Sequence, residues 1–130
     1  MKDRTASDIM THPVVTLAPE ARLTDAIKLL LRHHISGMPV VDAAGTLVGL
    51  LSEHDILNFA LSGDADDTTV SEAMTRDVVG FPPETPIPAL VECFTERRIR
   101  RAPIVAEGRV VGIVSRRDIL REMMFLYARY

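Results

Sequence analysis

Two short segments of the chain combine residue types that can bind a phosphorylated or hydroxylated ligand. Gly49-Leu50-Leu51-Ser52-Glu53-His54-Asp55 recurs as Gly112-Ile113-Val114-Ser115-Arg116-Arg117-Asp118. In each, an apolar run typical of a buried strand ends at a serine that begins a helix, and an aspartate follows one turn later. Free backbone N–H groups at a helix N-terminus attract anions. The serine hydroxyl can bond a phosphate oxygen, and the carboxylate can accept the paired hydroxyls of a ribose. The segments are therefore candidate ligand sites.

The same segments also allow a purely structural interpretation. A serine followed three residues later by an acid is a close relative of the Ser-x-x-Glu capping box, which fixes the start of a helix. Serine caps are common, so capping is the ordinary explanation for one copy. Two copies after the same glycine-containing strand, in halves that otherwise differ, favour a function.

The two segments belong to a repeat that extends through most of the chain. A set of residues between Met10 and Leu57 recurs in the same order between Met74 and Leu120, with one residue fewer in the second copy of the turn at 42–45. The apolar pattern of each half predicts a short strand, a helix, two strands and a closing helix. Two copies are too few for a solenoid. We therefore expect an α/β fold of two similar half-modules related by a pseudo-twofold axis. The predicted short strands are 14–17 and 78–79, the strand pairs are 38–41 with 47–51 and 103–105 with 110–114, and the helices begin near 21, 52, 87 and 115.

Composition limits the partners that the chain can have. It has 130 residues, 47% of them hydrophobic, and a net charge of −3, which gives no general basic field for nucleic acid. No apolar run approaches the ~20 residues of a membrane span, and the N-terminus leads into no signal-peptide core. The single cysteine, Cys93, excludes an internal disulfide and suits a reducing compartment. We expect a cytoplasmic protein that binds neither membranes nor nucleic acid.

The two halves differ in charge just before their first long strand. Arg97-Arg98-Ile99-Arg100-Arg101 stands in the second copy where the first has His33-His34-Ile35-Ser36-Gly37. Arginine suits bidentate phosphate contacts. Arg116 and Arg117 add charge at a predicted helix N-terminus, where cations oppose the helix dipole unless an anion or carboxylate neutralises them. A solvated basic face, or ion pairs with neighbouring glutamates, is the alternative.

No set of residues in the sequence predicts catalysis. The phosphate-loop, zinc-protease and serine-hydrolase signatures are all absent. The four histidines lack the spacing of a zinc site, and Cys93 has no histidine near it in sequence. We therefore assign no catalytic residue, no metal site and no required cofactor.

The order and spacing of elements across both copies resemble a pair of cystathionine beta-synthase (CBS) domains. The resemblance covers residues 7 to 120. It divides the chain into CBS domain 1 at 7–61, an acidic linker at 62–69 and CBS domain 2 at 70–123, together forming one module. It implies that the two sheets pack together and leave two clefts. In this family the clefts bind AMP, ADP, ATP or S-adenosylmethionine, and the pair is a regulatory sensor that commonly dimerises.

The resemblance also implies a role for individual residues. Asp55 and Asp118 would hold ribose, and Ser52 and Ser115 phosphate or ribose. Backbone at four further positions would read the adenine edge, and Arg100 and Arg101 stand where some members of the family place basic residues that touch phosphate. Arg116 and Arg117 join them on the charge argument given above. The expected ligand-binding residues are Thr16, Met38, Ser52, Asp55, Gly80, Arg100, Arg101, Ala102, Ser115, Arg116, Arg117 and Asp118.

Two functions follow as expectations. The first is a non-catalytic regulatory module, a homodimer, that binds an adenine nucleotide as its regulatory ligand and signals to an unidentified protein in trans. The alternative is an interaction or dimerisation module with vestigial ligand sites, in which the apolar segment 123–127 contacts a partner. Nucleic-acid binding through the arginines is disfavoured, because two Tyr and four Phe offer little stacking.

Overall fold

The computed structural model describes residues 3–61 and 64–128. It is an α/β structure with two separate two-stranded antiparallel sheets, which confirms the predicted fold class. Ser62 and Gly63, where the first closing helix was predicted to end and the linker to begin, lie outside the described residues. The elements are α1 (Ala6–Ile9), α2 (Leu23–His33), β1 (Gly37–Val41), β2 (Leu47–Ser52), α3 (Glu53–Ala60), α4 (Val70–Ala73), α5 (Ile87–Glu96), β3 (Arg101–Ala106), β4 (Arg109–Ser115) and α6 (Arg116–Tyr127).

The chain divides into two compact units that cross the boundaries of the sequence repeat. The central unit is Val15–Val78, and the terminal unit combines Met1–Val14 with Val79–Tyr130. Residues 7–14 of the predicted first domain therefore lie in the terminal unit, and residues 70–78 of the predicted second domain lie in the central unit. Each half of the sequence exchanges its first segment with the other.

In the central unit, single residues extend the sheet on both sides. Leu17 lies beside β1, where its N–H donates to the carbonyl of Pro39 (3.1 Å) and its carbonyl accepts from the N–H of Val41 (2.9 Å). On the far side, Thr75 and Leu50 of β2 exchange two backbone hydrogen bonds, both of 2.9 Å. The apolar face packs against α2 and α4. Its buried residues are Leu17, Leu23, Ala26, Leu30, Met38, Val40, Leu51, Val70, Ala73 and Met74.

The terminal unit repeats this arrangement with β3 and β4. Phe81 donates to the carbonyl of Pro103 (2.9 Å) and accepts from the N–H of Val105 (2.9 Å), while Thr11 exchanges hydrogen bonds of 2.8 and 3.2 Å with Ile113. Thr11 comes from the N-terminal segment, just as Thr75 comes from the segment after the linker. The buried residues of this core are Ala6, Leu90, Phe94, Ala102, Ile104, Val114 and Ile119.

Within the predicted short strand 14–17 only Leu17 bridges to a sheet, and in the second copy the bridge is made by Phe81, two residues beyond the predicted strand 78–79. Pro13 and Pro19 flank the first segment and Pro82 and Pro83 follow Phe81, and a proline has no N–H to donate to a ladder. Helices α1 and α4 were not predicted, because a helix of four residues is too short to display helical periodicity. Capping fixes both: in α1 the backbone N–H of Thr5 donates to Asp8 (2.8 Å) and lowers the pKa of that carboxyl.

A glycine in each second strand accommodates a methionine from the exchanged segment. A Cβ at Gly49 would lie 2.7 Å from the sulfur of Met74 and 2.8 Å from the carbonyl oxygen of Thr75. A Cβ at Gly112 would overlap the sulfur of Met10. The recurrence of the Met-Thr pair and of the strand glycine in both halves thus has one cause, because the methionine covers the glycine while the threonine backbone pairs beside it.

The N-terminal segment is also held by an ion pair in the terminal unit. Arg4 donates from Nε and Nη2 to the two carboxylate oxygens of Glu122 on α6, at 2.8 and 3.1 Å. The side chain of Glu122 is 5% exposed and that of Arg4 46%. These hydrogen bonds and the negative charge of Glu122 raise the pKa of Arg4.

Gly112→Ala is expected to reduce the free energy of unfolding by about 1–3 kcal/mol, because the added methyl group overpacks against Met10. In a Met10→Ala background the loss should be smaller, since the sulfur and Cγ are gone. Gly49→Ala should be rescued less by Met74→Ala, because the backbone oxygen of Thr75 stays in place. Urea unfolding of the single and double variants measures these free energies.

Gly108→Asn is the control for this series. A Cβ at this position meets no atom within 4 Å, and asparagine tolerates the left-handed backbone (φ +77°). Its free energy of unfolding should stay within about 0.5 kcal/mol of the parent value. Equal losses from Gly112→Ala with and without Met10 would contradict the packing explanation.

Candidate functional site

Ser52 and Asp55 form a reciprocal cap where β2 leads into α3. The N–H of Asp55 donates to Ser52 Oγ at 3.2 Å. In return, Asp55 Oδ2 accepts from the N–H of Ser52 at 2.9 Å and from its hydroxyl at 3.0 Å. Two N–H groups at the helix start are satisfied in this way, so the capping interpretation of the sequence is confirmed here.

Ser115 and Asp118 repeat the cap where β4 leads into α6. The N–H of Asp118 donates to Ser115 Oγ at 3.3 Å, and Asp118 Oδ2 accepts from the N–H and the hydroxyl of Ser115 at 2.8 and 3.0 Å. In both units one carboxylate oxygen serves the cap. The other oxygen, Oδ1, accepts none of the cap hydrogen bonds.

The two Oδ1 atoms have different partners. Asp55 Oδ1 accepts from the hydroxyl of Thr75 at 3.3 Å, which is a long hydrogen bond to a neutral donor. Asp118 Oδ1 accepts from Arg121 Nη1 at 2.9 Å, which is an ion pair. Asp55 is half-buried, whereas Asp118 is 6% exposed. Neither Thr75 nor Arg121 was among the predicted site residues. Arg121 follows Asp118 by three residues on one helix, and that spacing could have indicated the ion pair.

The residues expected at the adenine-reading positions of the central unit lie at the same end of its sheet. Gly37 of β1 is opposite Ser52, and Met38 is opposite Leu51. Thr16 precedes Leu17, whose N–H donates to the carbonyl of Pro39, so Thr16 lies beside the outer edge of β1. Met38 as a whole is 1% exposed and packs in the core, so its backbone is as buried as its side chain.

The terminal unit brings its expected residues together in the same way. Arg101 is opposite Ser115, and Ala102 is opposite Val114. Gly80 precedes Phe81, the residue that bridges to β3. Ala102 is likewise fully buried, backbone included.

Three of the four predicted arginines adjoin this position. The carbonyl of Arg100 accepts from the N–H of Arg116 at 3.3 Å, and Arg101 is the strand partner of Ser115. Arg117 follows on the exposed first turn of α6. The corresponding bond in the central unit joins Ser36 to Glu53 (2.9 Å). The two units thus make the same backbone hydrogen bond, between Arg116 and Arg100 in the terminal unit and between Glu53 and Ser36 in the central unit.

Some classes of site are not formed by the described part of the chain. Within residues 3–61 and 64–128, no group of three or more His, Cys, Asp or Glu side chains is arranged to hold a metal ion. Over the same residues, no helix is long and apolar enough to cross a membrane. Every buried side-chain nitrogen or oxygen of these residues has a hydrogen-bond partner.

A family model described as "CBS domain" matches residues 6–62 and again residues 70–125. The chain belongs to the CBS domain family. Its two matches correspond to the two copies of the sequence repeat, each of which contains one serine–aspartate pair. The resemblance found in the sequence is thereby confirmed.

Curated relatives include proteins of similar and of much greater length. The CBS domain-containing protein YhcV of Bacillus subtilis is 33% identical over 118 residues, which cover 90% of this chain and 84% of that protein. The A-adding tRNA nucleotidyltransferase of Geobacter sulfurreducens is 33% identical over 120 residues. That match covers 92% of this chain but only 13% of the length of the nucleotidyltransferase.

Solved CBS pairs have the same fold. The CBS domain pair of protein MJ0100, crystallised with 5′-methylthioadenosine and S-adenosyl-L-methionine, is 31% identical with a TM-score of 0.85 and covers 95% of this chain and 98% of that one. CBSX2 in complex with AMP is 26% identical with a TM-score of 0.85 and covers the same shares of the two chains. Both of these relatives bind adenosine-containing ligands.

Proposed function

We propose that this CBS pair is a non-catalytic regulatory module that binds an adenosine-containing ligand and passes its occupancy to another protein. The ligand positions are Ser52 with Asp55 in the central unit and Ser115 with Asp118 in the terminal unit. The observation that carries the proposal is the repeated serine–aspartate pair at a strand end, in a fold whose solved relatives contain AMP, 5′-methylthioadenosine and S-adenosyl-L-methionine.

The aspartates supply the chemistry that a ribose needs. A carboxylate accepts hydrogen bonds from two neighbouring hydroxyls, and such charge-assisted bonds are about twice as strong as neutral ones. The cap uses Oδ2 and fixes the carboxylate in position. Oδ1 is then presented by a rigid helix start, which lowers the ordering cost of binding.

Phosphate recognition must depend on side chains more than on the helix N-termini. In α3 the N–H of Glu53 already donates to Ser36, and that of Asp55 to Ser52. In α6 the N–H of Arg116 donates to Arg100, and that of Asp118 to Ser115. Most first-turn donors are thus satisfied within the protein. We propose that the terminal unit, through Arg100, Arg101, Arg116 and Arg117, is the one that binds a phosphorylated ligand.

The regulatory part of the proposal rests on the kinds of protein that contain this module. One curated relative is a nucleotidyltransferase of which the matched CBS region is a small part. The described residues at the two positions are capped helix starts, joined in the terminal unit by arginines. We propose that the module acts in the cytoplasm, where adenine nucleotides are abundant, and that it needs no cofactor.

Asp55→Asn and Asp118→Asn are expected to weaken adenosine-ligand binding at their own sites by about 10–100-fold, the loss of a hydrogen-bonded charge. Asparagine keeps an acceptor for the cap and replaces the other oxygen with an amide donor. Thermal unfolding with adenosine, AMP, ADP, ATP and S-adenosylmethionine provides the screen. A ligand at a hundred times its Kd stabilises by ~2.7 kcal/mol and raises Tm by roughly 5–15 °C.

Guanosine nucleotides and the unliganded variants control this experiment. Without ligand, the variants should have Tm values within a few degrees of the parent value. A loss of binding can then be separated from a loss of folding. A panel in which no adenosine compound raises Tm, with calorimetry also negative on nucleotide-free protein, would refute ligand binding. Binding that both substitutions leave intact would refute the assigned residues.

The arginines of the terminal unit are expected to distinguish ATP from adenosine. In an Asp55→Asn background, where the terminal site is measured alone, Arg100→Ala should weaken ATP binding about tenfold by removing a charged phosphate contact, and should leave adenosine binding unchanged. Arg109→Ala removes the same charge from an exposed position of β4 and is the control. Equal effects of both variants on ATP, measured by calorimetry, would point to general electrostatics rather than contact.

A second function, self-association, is favoured by apolar residues on two helices. On α6, Leu120, Met124 and Tyr127 are 59%, 65% and 64% exposed and follow the spacing of one helix face. In the central unit, Leu57 of α3 and Leu61, just past the end of that helix, are 67% and 100% exposed. Exposed apolar residues grouped on a helix face commonly mark an interface. We propose that the module forms a homodimer through these helices.

Leu120→Glu is expected to convert the dimer to a monomer, because a charge in an apolar interface loses its hydration without a partner. Light scattering after size-exclusion chromatography measures the mass. Val79→Glu, at a residue that is 54% exposed but outside both helices, should leave the dimer intact. A monomeric parent protein, or a dimer unaffected by Leu120→Glu, would contradict the proposed interface.

A further inference from the structure

The carboxylate of Asp118 already has a cationic partner on its own helix. Arg121 Nη1 lies 2.9 Å from Asp118 Oδ1, the oxygen that the cap leaves over. The side chains differ sharply in exposure, 6% for Asp118 and 70% for Arg121. A solvent-facing guanidinium is therefore bound to a nearly buried carboxylate at the atom where a ribose hydroxyl would bind.

The central unit has a neutral residue at the matched position. Asn58 follows Asp55 at the same spacing at which Arg121 follows Asp118, and it is exposed. Asp55 Oδ1 instead has the Thr75 hydroxyl at 3.3 Å. A long hydrogen bond to a neutral hydroxyl is easily replaced by another hydroxyl, whereas an ion pair gives up more.

We propose that Arg121 competes with the ligand for Asp118, so that the terminal unit binds an unphosphorylated adenosine more weakly than the central unit does. Arg121 is thus a specificity-determining residue. The inference rests on the proposed function, because it takes the ribose hydroxyls as the groups that Asp118 accepts. A single difference between the repeats, Asn58 in one and Arg121 in the other, thus gives the two sites different ligand preferences.

The competition has a bounded size. Exposed ion pairs contribute up to about 1 kcal/mol, and this one belongs in the upper half of that range because the Asp118 side chain is only 6% exposed. Salt screens the pair. Removing it should therefore tighten binding by about two- to fivefold. A larger change would need a second effect beyond the loss of this ion pair.

The experiment measures each site alone by calorimetry with adenosine, which has no phosphate to attract an arginine. In an Asp55→Asn background, Arg121→Asn should tighten adenosine binding about two- to fivefold. In an Asp118→Asn background, Asn58→Arg should weaken it by a similar factor. The gain from Arg121→Asn should shrink at about 0.5 M salt, because the ion pair in the parent is then screened. Arg121→Lys keeps the cation and should show less gain.

Arg109→Asn is the matched control, since it removes an exposed positive charge of the same unit without touching Asp118. An unchanged or weaker adenosine affinity in Arg121→Asn would overturn the competition. Weaker AMP binding with unchanged adenosine binding would make Arg121 a phosphate contact instead. If the parent protein binds no adenosine compound, the proposed function fails and this inference fails with it. If it binds and only the Arg121 series is flat, the inference alone fails.

Discussion

Each of the two compact units depends on the contact of a methionine with a strand glycine. Met74 covers Gly49, and Met10 covers Gly112. In each pair the methionine and the glycine come from different sequence repeats. The threonine that follows each methionine pairs with the strand through backbone hydrogen bonds. Neither repeat alone contains both sides of this contact. Each repeat is also near the size at which burial is marginal, so folding of one requires a segment of the other.

The same exchange shapes the candidate sites. Because Thr75 pairs beside β2, its hydroxyl reaches Asp55, a residue of the other repeat. In the terminal unit Thr11 pairs beside β4 in the same way, but the outer oxygen of Asp118 bonds to Arg121. The backbone thus presents two equivalent carboxylates, and one side chain makes them chemically different. Specificity in a duplicated fold can change at such positions without a change in the framework, because the caps that hold the carboxylates are untouched.

Local patterns predicted the parts of this structure that depend on local energetics. The hairpins, α2, α5, α6 and both serine caps follow from apolar periodicity and cap chemistry, and the structure has them all. The missing residue of the repeat also falls where expected: Glu107 and Gly108 make a tight turn with positive φ, where the first hairpin has a longer one. The exchange of Met10 and Met74 was not predictable, because no local signal says which copy of a strand a segment will join.

The helix starts of the two units differ in a way that bears on ligand charge. The first turn of α3 has two acids, Glu53 and Asp55, which complement the positive end of the helix dipole. The first turn of α6 has Asp118 with two arginines, Arg116 and Arg117, and cations oppose the dipole there. An anionic ligand would relieve that repulsion in the terminal unit and would add repulsion in the central unit. A negative ligand group also offers Arg121 a second partner, which would free Asp118 for the ribose. On these charges, phosphorylated and unphosphorylated adenosine ligands should partition between the two units.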